Sequence, residues 1–171
     1  MRIEWNKVTW YSKLLALILF ASLPFIGFYL GVHYQKLIEK SKPQIYPQSQ
    51  TRVCKGSKCV TVEVAENILE QAHGLMFREH MEEERGMLFI FKTESIYPFW
   101  MKNTLIPLDM IWMNDKKEIV YIHKGAEPCK TMICPSINPA TPARYVLEVN
   151  AGVADIMGLK VGDTLTVENK R

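Results

Sequence analysis

Nineteen consecutive residues, Leu14 to Val32 (LLALILFASLPFIGFYLGV), carry no charge, and they are bracketed by Lys13 and Lys36. As a helix at about 1.5 Å per residue the run is roughly 28 Å long, close to the hydrocarbon thickness of a bilayer. Trp5, Trp10 and Tyr11 precede it and Tyr29 and Tyr34 close it, where aromatic rings favour the two headgroup zones. The pattern predicts a transmembrane helix over 14–35. A cleaved signal peptide is the competing reading; the apolar run is longer than a usual h-region and no A-x-A site follows it. Pro24, Gly27 and Gly31 are ordinary residues of membrane spans and need no special role.

This helix divides the chain. Residues 1–13 form a short N-terminal segment, 36–52 (KLIEKSKPQIYPQSQTR) a polar linker with Pro43 and Pro47, and 53–171 a domain large enough to bury its own core. The formal charge of +3 is unevenly spread. Residues 1–42 hold six Lys/Arg against two acids, and 43–171 hold fifteen against sixteen. A body of net charge −1 lacks the basic surface that nucleic acid requires, so no nucleic-acid partner is expected.

All four cysteines follow the helix, as two Cys-x4-Cys pairs, Cys54/Cys59 and Cys129/Cys134. In the first pair, Gly56-Ser57 is a two-residue hairpin signal, which sets Lys55 opposite Lys58 and Cys54 opposite Cys59. Such a non-hydrogen-bonded pair has its Cα atoms about 4.5 Å apart, within reach of a disulfide. A zinc site and redox thiols are the alternatives, although the spacing of four suits neither a zinc knuckle nor a thioredoxin motif. The positive-inside rule does not orient the helix, because Arg2, Lys7 and Lys13 balance Lys36, Lys40 and Lys42. Disulfides persist in oxidising compartments, so the expected arrangement is a single-pass cell-membrane protein with residues 1–13 cytoplasmic and the domain outside.

Within the domain, Val60, Val62 and Val64 alternate with polar residues as a half-buried strand does. Asn67-Ile68-Leu69-Glu70 has the spacing of a capping box, with Gly74 ending the helix. Strands are expected at Met87–Phe91, Phe99–Thr104, Leu108–Met113, Glu118–His123, Tyr145–Val149 and Thr164–Glu168, with a hairpin turn at Asn114–Lys117. A second short helix fits Ala151–Met157. The expected fold is mainly β (α+β): a compact antiparallel sandwich or partly closed barrel with two short helices, behind the one transmembrane helix.

No P-loop, dinucleotide fingerprint, zinc-protease helix or nucleophile elbow occurs. His33, His73, His80 and His123 lack ligand spacing. Met76, Met87, Met101, Met110 and Met113 lie in apolar stretches, where core packing is the commoner role, although methionine with histidine and cysteine outside the cytoplasm also raises copper handling. No cofactor is expected.

Six ordered segments carry a resemblance: Gly74–Arg78 (GLMFR), Gly86–Phe91 (GMLFIF), Phe99–Thr104 (FWMKNT) with Ile106–Met110 (IPLDM), Cys129 to Cys134-Pro135, Tyr145–Glu148 (YVLE), and Gly162-Asp163. Over about residues 60–168 the chain resembles the domain of unknown function 192 family. The resemblance implies a small, largely β fold, commonly behind a signal or anchor in bacteria and archaea, and no established activity. The Cys129/Cys134 pair resembles one in many members, whereas Cys54/Cys59 looks like an addition of this chain. Local bridges, Cys54–Cys59 and Cys129–Cys134, are expected rather than crossed ones.

The segment from Phe99 to Met110 is the richest in chemistry. Alternation sets Phe99, Met101 and Asn103 on one face and Trp100, Lys102 and Thr104 on the other, with Asp109 starting the next strand. An aromatic plane beside Lys102, Asn103 and Asp109 suits a small polar ligand, and Arg78, Arg144 and Glu148 sit in similar apolar company. The opposing reading is structural: Lys102 pairs with Asp109, Asn103 satisfies backbone and Trp100 packs in the core. Two functions stay open. One is a membrane-tethered binding module for a small polar ligand or an envelope protein partner, with Trp100, Lys102, Asn103, Asp109, Arg78 and Arg144 at the site. The other is a hydrolase-like enzyme using Asp109 or Glu148 as acid or base, with Lys102 or Arg144 stabilising negative charge.

Overall fold

The structure, a computed structural model, describes residues 10–41 and 51–169; within the first helix the side chains at 10, 12, 16, 30, 32 and 34–41 are outside the description. The chain divides into two compact units, Met1–Ile45 and Tyr46–Arg171.

In the first unit a single helix, α1 (Trp10–Ser41), runs through the uncharged segment and through Pro24. Most of its described side chains are apolar and exposed, with Leu17 at 69%, Phe20 at 80%, Phe25 at 76% and Phe28 at 75%. Among the described residues no helix is long and apolar enough to cross a membrane. Residues 1–9 of the expected cytoplasmic segment and 42–50 of the expected linker lie outside the described residues.

In the second unit the chain runs β1 (Thr51–Lys55), β2 (Lys58–Ala65), α2 (Ile68–His73), β3 (Arg85–Ser95), β4 (Phe99–Trp100), β5 (Leu108–Met113), β6 (Ile119–Ala126), β7 (Ser136–Ile137), β8 (Ala143–Asn150), α3 (Val153–Ile156) and β9 (Thr166–Asn169). The β1–β2 hairpin forms in the expected register: Lys55 faces Lys58 across Gly56 (φ 59°), and Cys54 faces Cys59 with Cα atoms 4.1 Å apart and their sulfurs bonded. Cys129 and Cys134 are also bridged. The capping box closes α2 as its spacing requires: Asn67 accepts from the Glu70 amide, and the Glu70 carboxylate accepts from the Asn67 amide.

The expected antiparallel sandwich or barrel is corrected. Seven strands form one mixed sheet in the order β6-β5-β8-β3-β2-β1-β9, and β4 and β7 make a separate two-stranded ribbon. The chain leaves β2 through α2 and a turn before it enters β3. It therefore returns in the same direction, and β2 and β3 pair parallel, Val62 to Gly86 and Val64 to Leu88. The edges β6 and β9 approach at one corner through the bridge Glu118 to Thr164 and a bond from the Ile119 amide to the Asp163 carbonyl. No ladder joins them, and the sheet is not a closed barrel.

Each face of the sheet has its own core. One gathers Val53, Val62, Leu88, Ile111, Leu147 and Val149 beneath α3, and the other gathers Phe89, Met101, Met110, Trp112 and Val146 with Leu75 after α2. Between them, β3 and β8 approach closely at Gly86, where a Cβ atom would stand 2.5 Å from the Glu148 carbonyl oxygen. The candidate site lies on the second face.

Candidate functional site

The segment after β3 turns at Pro98 and enters β4, where Phe99 and Trp100 pair with Ile137 and Ser136. Alternation holds as far as Lys102: Phe99 and Met101 face the core, and Trp100 and Lys102 lie outward. It fails at Asn103, whose φ of 57° turns the chain so that Thr104 points inward and is buried. The strand expected over Phe99–Thr104 is therefore two residues of β4 followed by a turn. The same turn is tied to the end of α2, because the Phe77 amide donates to the Asn103 carbonyl at 2.7 Å and Asn103 Nδ2 lies 3.9 Å from Met76 Sδ.

Between α2 with its turn and the segment 97–104 is a cavity of about 280 Å³. Its walls are aromatic. Phe89 and Phe99 meet edge to face at 4.9 Å, and Phe91 and Tyr97 are stacked at 3.6 Å. The Tyr97 carbonyl accepts from Trp112 Nε1 at 3.0 Å, which fixes this wall to β5. Trp100, 49% exposed, and Lys102 stand at the rim, with Lys102 Nζ 5.4 Å from the Trp100 ring centroid.

Thr104 and Glu148 supply the polar groups of the interior. Among the described residues four polar side chains are buried: Thr51, Thr104, Asp109 and Glu148. Thr51 donates to Asn169 at 2.8 Å, and Asp109 accepts from the backbone amides of Gly125, Gly152 and Ala154 at 2.9, 2.9 and 3.0 Å. The Thr104 hydroxyl and the Glu148 carboxyl have no side-chain hydrogen bond or ion pair among the described residues. No fully sealed side-chain oxygen or nitrogen lacks a partner, so these oxygens open onto the cavity rather than into closed packing. Burial alone raises the Glu148 pKa to about 8, which leaves the carboxyl largely protonated at neutral pH.

The structure brings Trp100 and Lys102 together at this cavity and adds Glu148. Asn103 shapes the turn behind them. Asp109, Arg78 and Arg144 are elsewhere: Asp109 faces the opposite side of the sheet, Arg78 holds Glu63 through two bonds of 2.7 and 2.9 Å, and Arg144 donates to Asp115 and to the Phe91 carbonyl. The bond to Asp115 raises the Arg144 pKa further. Lys102 and Asp109 make no ion pair with each other, so the expected structural pairing is absent too. Of the four residues of the hydrolase reading, Glu148 and Lys102 share this cavity, outside ion-pair distance of each other, whereas Asp109 and Arg144 lie elsewhere. The sequence reading missed Thr104, Tyr97 and the wall from α2. Glu148 was visible as a lone acid in the apolar strand YVLEV.

Two larger depressions, of about 510 and 670 Å³, flank the Cys129–Cys134 loop. Neither contains a buried ionisable side chain. Among the described residues no three His, Cys, Asp or Glu side chains stand together as metal ligands. Met87, Met101, Met110 and Met113 are buried in the cores.

Residues 51–167 match the model of the domain of unknown function 192 (DUF192) family, described as "Uncharacterized ACR". A UPF0127 protein of Pyrococcus furiosus is 27% identical over 119 residues, covering 66% of this chain and 92% of its own length. One from Thermococcus sibiricus is 27% identical over 112 residues, covering 63% and 66%. Among solved structures, one from Sinorhizobium meliloti described as a candidate transcription regulator is similar with a TM-score of 0.65 and 34% identity, covering 74% of this chain and 98% of that one. A protein of unknown function from Novosphingobium aromaticivorans has a TM-score of 0.61 and 35% identity, covering 68% and 82%. The match thus spans almost the whole of the Sinorhizobium chain, and in this chain the family match, residues 51–167, falls within the compact unit Tyr46–Arg171.

Proposed function

The chain belongs to the domain of unknown function 192 family, and we propose that in this member the domain is a binding module that receives a small polar ligand in the cavity rimmed by Trp100 and Lys102. One observation carries the reading. Of the four buried polar side chains among the described residues, the two with no hydrogen-bond partner in the protein, Thr104 and Glu148, both present their oxygens to this cavity. A ligand completes them, while the aromatic walls contribute contact area.

The cavity lining has no second carboxylate, and its hydroxyl nucleophile candidate, Thr104, makes no hydrogen bond to His73, Lys102 or Glu148, which favours binding over hydrolysis. The relative described as a candidate transcription regulator gives no reason to invoke nucleic acid here, because residues 43–171 have net charge −1. A thermal-shift screen of the 46–171 domain against metabolites, sugars and metals tests the proposal. A ligand at 100 times its Kd stabilises by about 2.7 kcal/mol, a rise of several degrees. The rise should vanish in Glu148→Ala and persist in Arg78→Met. If no compound moves either the melting temperature or the Trp100 indole resonance, the binding reading fails.

The same proposal places the domain outside the cytoplasm on a single-pass anchor, α1, with residues 1–13 inside. Support comes from the uncharged run, from apolar side chains on all sides of α1, and from two disulfides of a kind that persist in oxidising compartments. Protease added to intact spheroplasts should remove the domain; cleavage only after permeabilisation would reverse the orientation.

A second reading, docking of an envelope protein, is favoured by the tip of the Cys129–Cys134 loop, where Met132 and Ile133 are 97% and 87% exposed. Met132→Ser with Ile133→Ser should abolish capture of such a partner and leave small-molecule binding intact.

A further inference from the structure

We propose that the ligand is a small zwitterion of amino-acid type, its ammonium end against Glu148, its apolar body against the aromatic wall and its anionic end at Lys102. The inference rests on the binding reading and specifies it.

Glu148 faces no cation of the protein. From β3 and β5 its register neighbours are Met87 and Met110. The titratable side chains that share its cavity are His73 from α2, and Tyr97 and Lys102 from the segment 97–104, none within ion-pair distance. A carboxyl in such a place is completed best by a group that donates several hydrogen bonds and carries positive charge, which an ammonium does. The walls agree with this, because the faces of aromatic rings attract cations, above all where water is excluded.

A plain cation does not satisfy the rim. Lys102 makes no ion pair among the described residues, and its Nζ is held over the Trp100 ring, so a cationic ligand passes a fixed positive charge. A plain anion suits Lys102 but brings negative charge toward Glu148. Separated charges of both signs on one neutral molecule suit both ends. The Thr104 hydroxyl can donate or accept beside either group. A volume of about 280 Å³ lies at the small end of ligand pockets, which limits the apolar body to a few carbon atoms.

Proton release follows. Burial holds Glu148 protonated below about pH 8, so an ammonium that pairs with its carboxylate displaces that proton. Affinity for the zwitterion then rises by about tenfold per pH unit from pH 6 to 8 and flattens above.

Calorimetry on the 46–171 domain separates the parts of the ligand with four probes that share a 3-methylbutyl group. These are leucine, isoamylamine without the carboxylate, 4-methylpentanoate without the ammonium, and isoamyl alcohol with neither; glycine betaine, whose quaternary nitrogen has no N–H to donate, is the control. Leucine should bind at least tenfold more tightly than betaine and than either half-charged probe. Lys102→Met should bring leucine down to isoamylamine, and Glu148→Gln should bring it down to 4-methylpentanoate. A half-charged probe or the alcohol binding as tightly as leucine overturns the zwitterion while leaving the cavity a binding site. No binding by leucine also overturns it, and the broad screen then decides separately whether the cavity binds anything.

Discussion

Asp109 and Glu148 lie one residue apart across the β5–β8 ladder, since Met110 pairs with Glu148 and Asp109 with Val149. Both are buried, at 0% and 4% exposure, and both are lone acids in strands of apolar residues. They point to opposite faces and meet opposite fates. Asp109 is met by three backbone amides, of Gly125 in β6, Gly152 after β8 and Ala154 in α3, so its carboxyl ties the start of α3 and the end of β6 together. Glu148 is met by none. A carboxylate with three amide donors has a structural task, whereas a partnerless one in a cavity costs stability and points to a task outside the fold.

The largest expected effect is at Asp109. Asp109→Ala leaves three amides without an acceptor, that of Ala154 buried and those of Gly125 and Gly152 within reach of water, and should lower stability by about 3 kcal/mol or more in urea unfolding. A variant within about 1 kcal/mol of wild type would break the comparison from its structural side.

Glu148→Gln should act in the opposite direction. The folded pKa of about 8 is above the usual 4.5, so the unfolded chain ionises first as pH rises. Stability due to this group is therefore full below about pH 4.5, falls steadily toward pH 8 and stays low beyond. At pH 7 the penalty is on the order of 3 kcal/mol. Removing it should raise the melting temperature by about 10 °C at pH 7 and by little at pH 4. A Gln variant less stable than wild type at pH 7 would show that Glu148 has a structural task after all.

Smaller effects bound the comparison. Opening the Cys54–Cys59 loop by Cys59→Ser with Cys54→Ser should cost about 2 kcal/mol by chain entropy, measured by chemical unfolding. Lys102→Met should change stability by less than about 0.5 kcal/mol, because Lys102 holds only the Trp100 face, while removing the ligand response. A large loss of stability there would return Lys102 to the fold.

Much of this was legible from the chain. Gly56-Ser57 between the cysteines set the hairpin and its bridge, and Asn67 with Glu70 set the start of α2, because both depend on residues a few positions apart. The parallel β2–β3 pair was not legible, since local alternation gives strands but not their partners. The difference between Asp109 and Glu148 was hidden for a related reason. In LDMIWM and YVLEV they look alike, and the amides that separate them belong to Gly125, Gly152 and Ala154, remote in sequence. Left-handed Asn103 likewise broke an alternation that the residues FWMKNT suggested.

The position of β1 has a mechanical consequence. It is the first strand of the domain yet not an edge, lying between β2 and β9 with antiparallel ladders on both sides. A pull on Thr51 directed along β1 would load both ladders in shear instead of peeling one bond at a time. If those ladders slipped, Cys54–Cys59 would pass the load into β2, and from there across the parallel ladder to β3. The hairpin bridge thus limits how far such a pull could draw β1 away from β2.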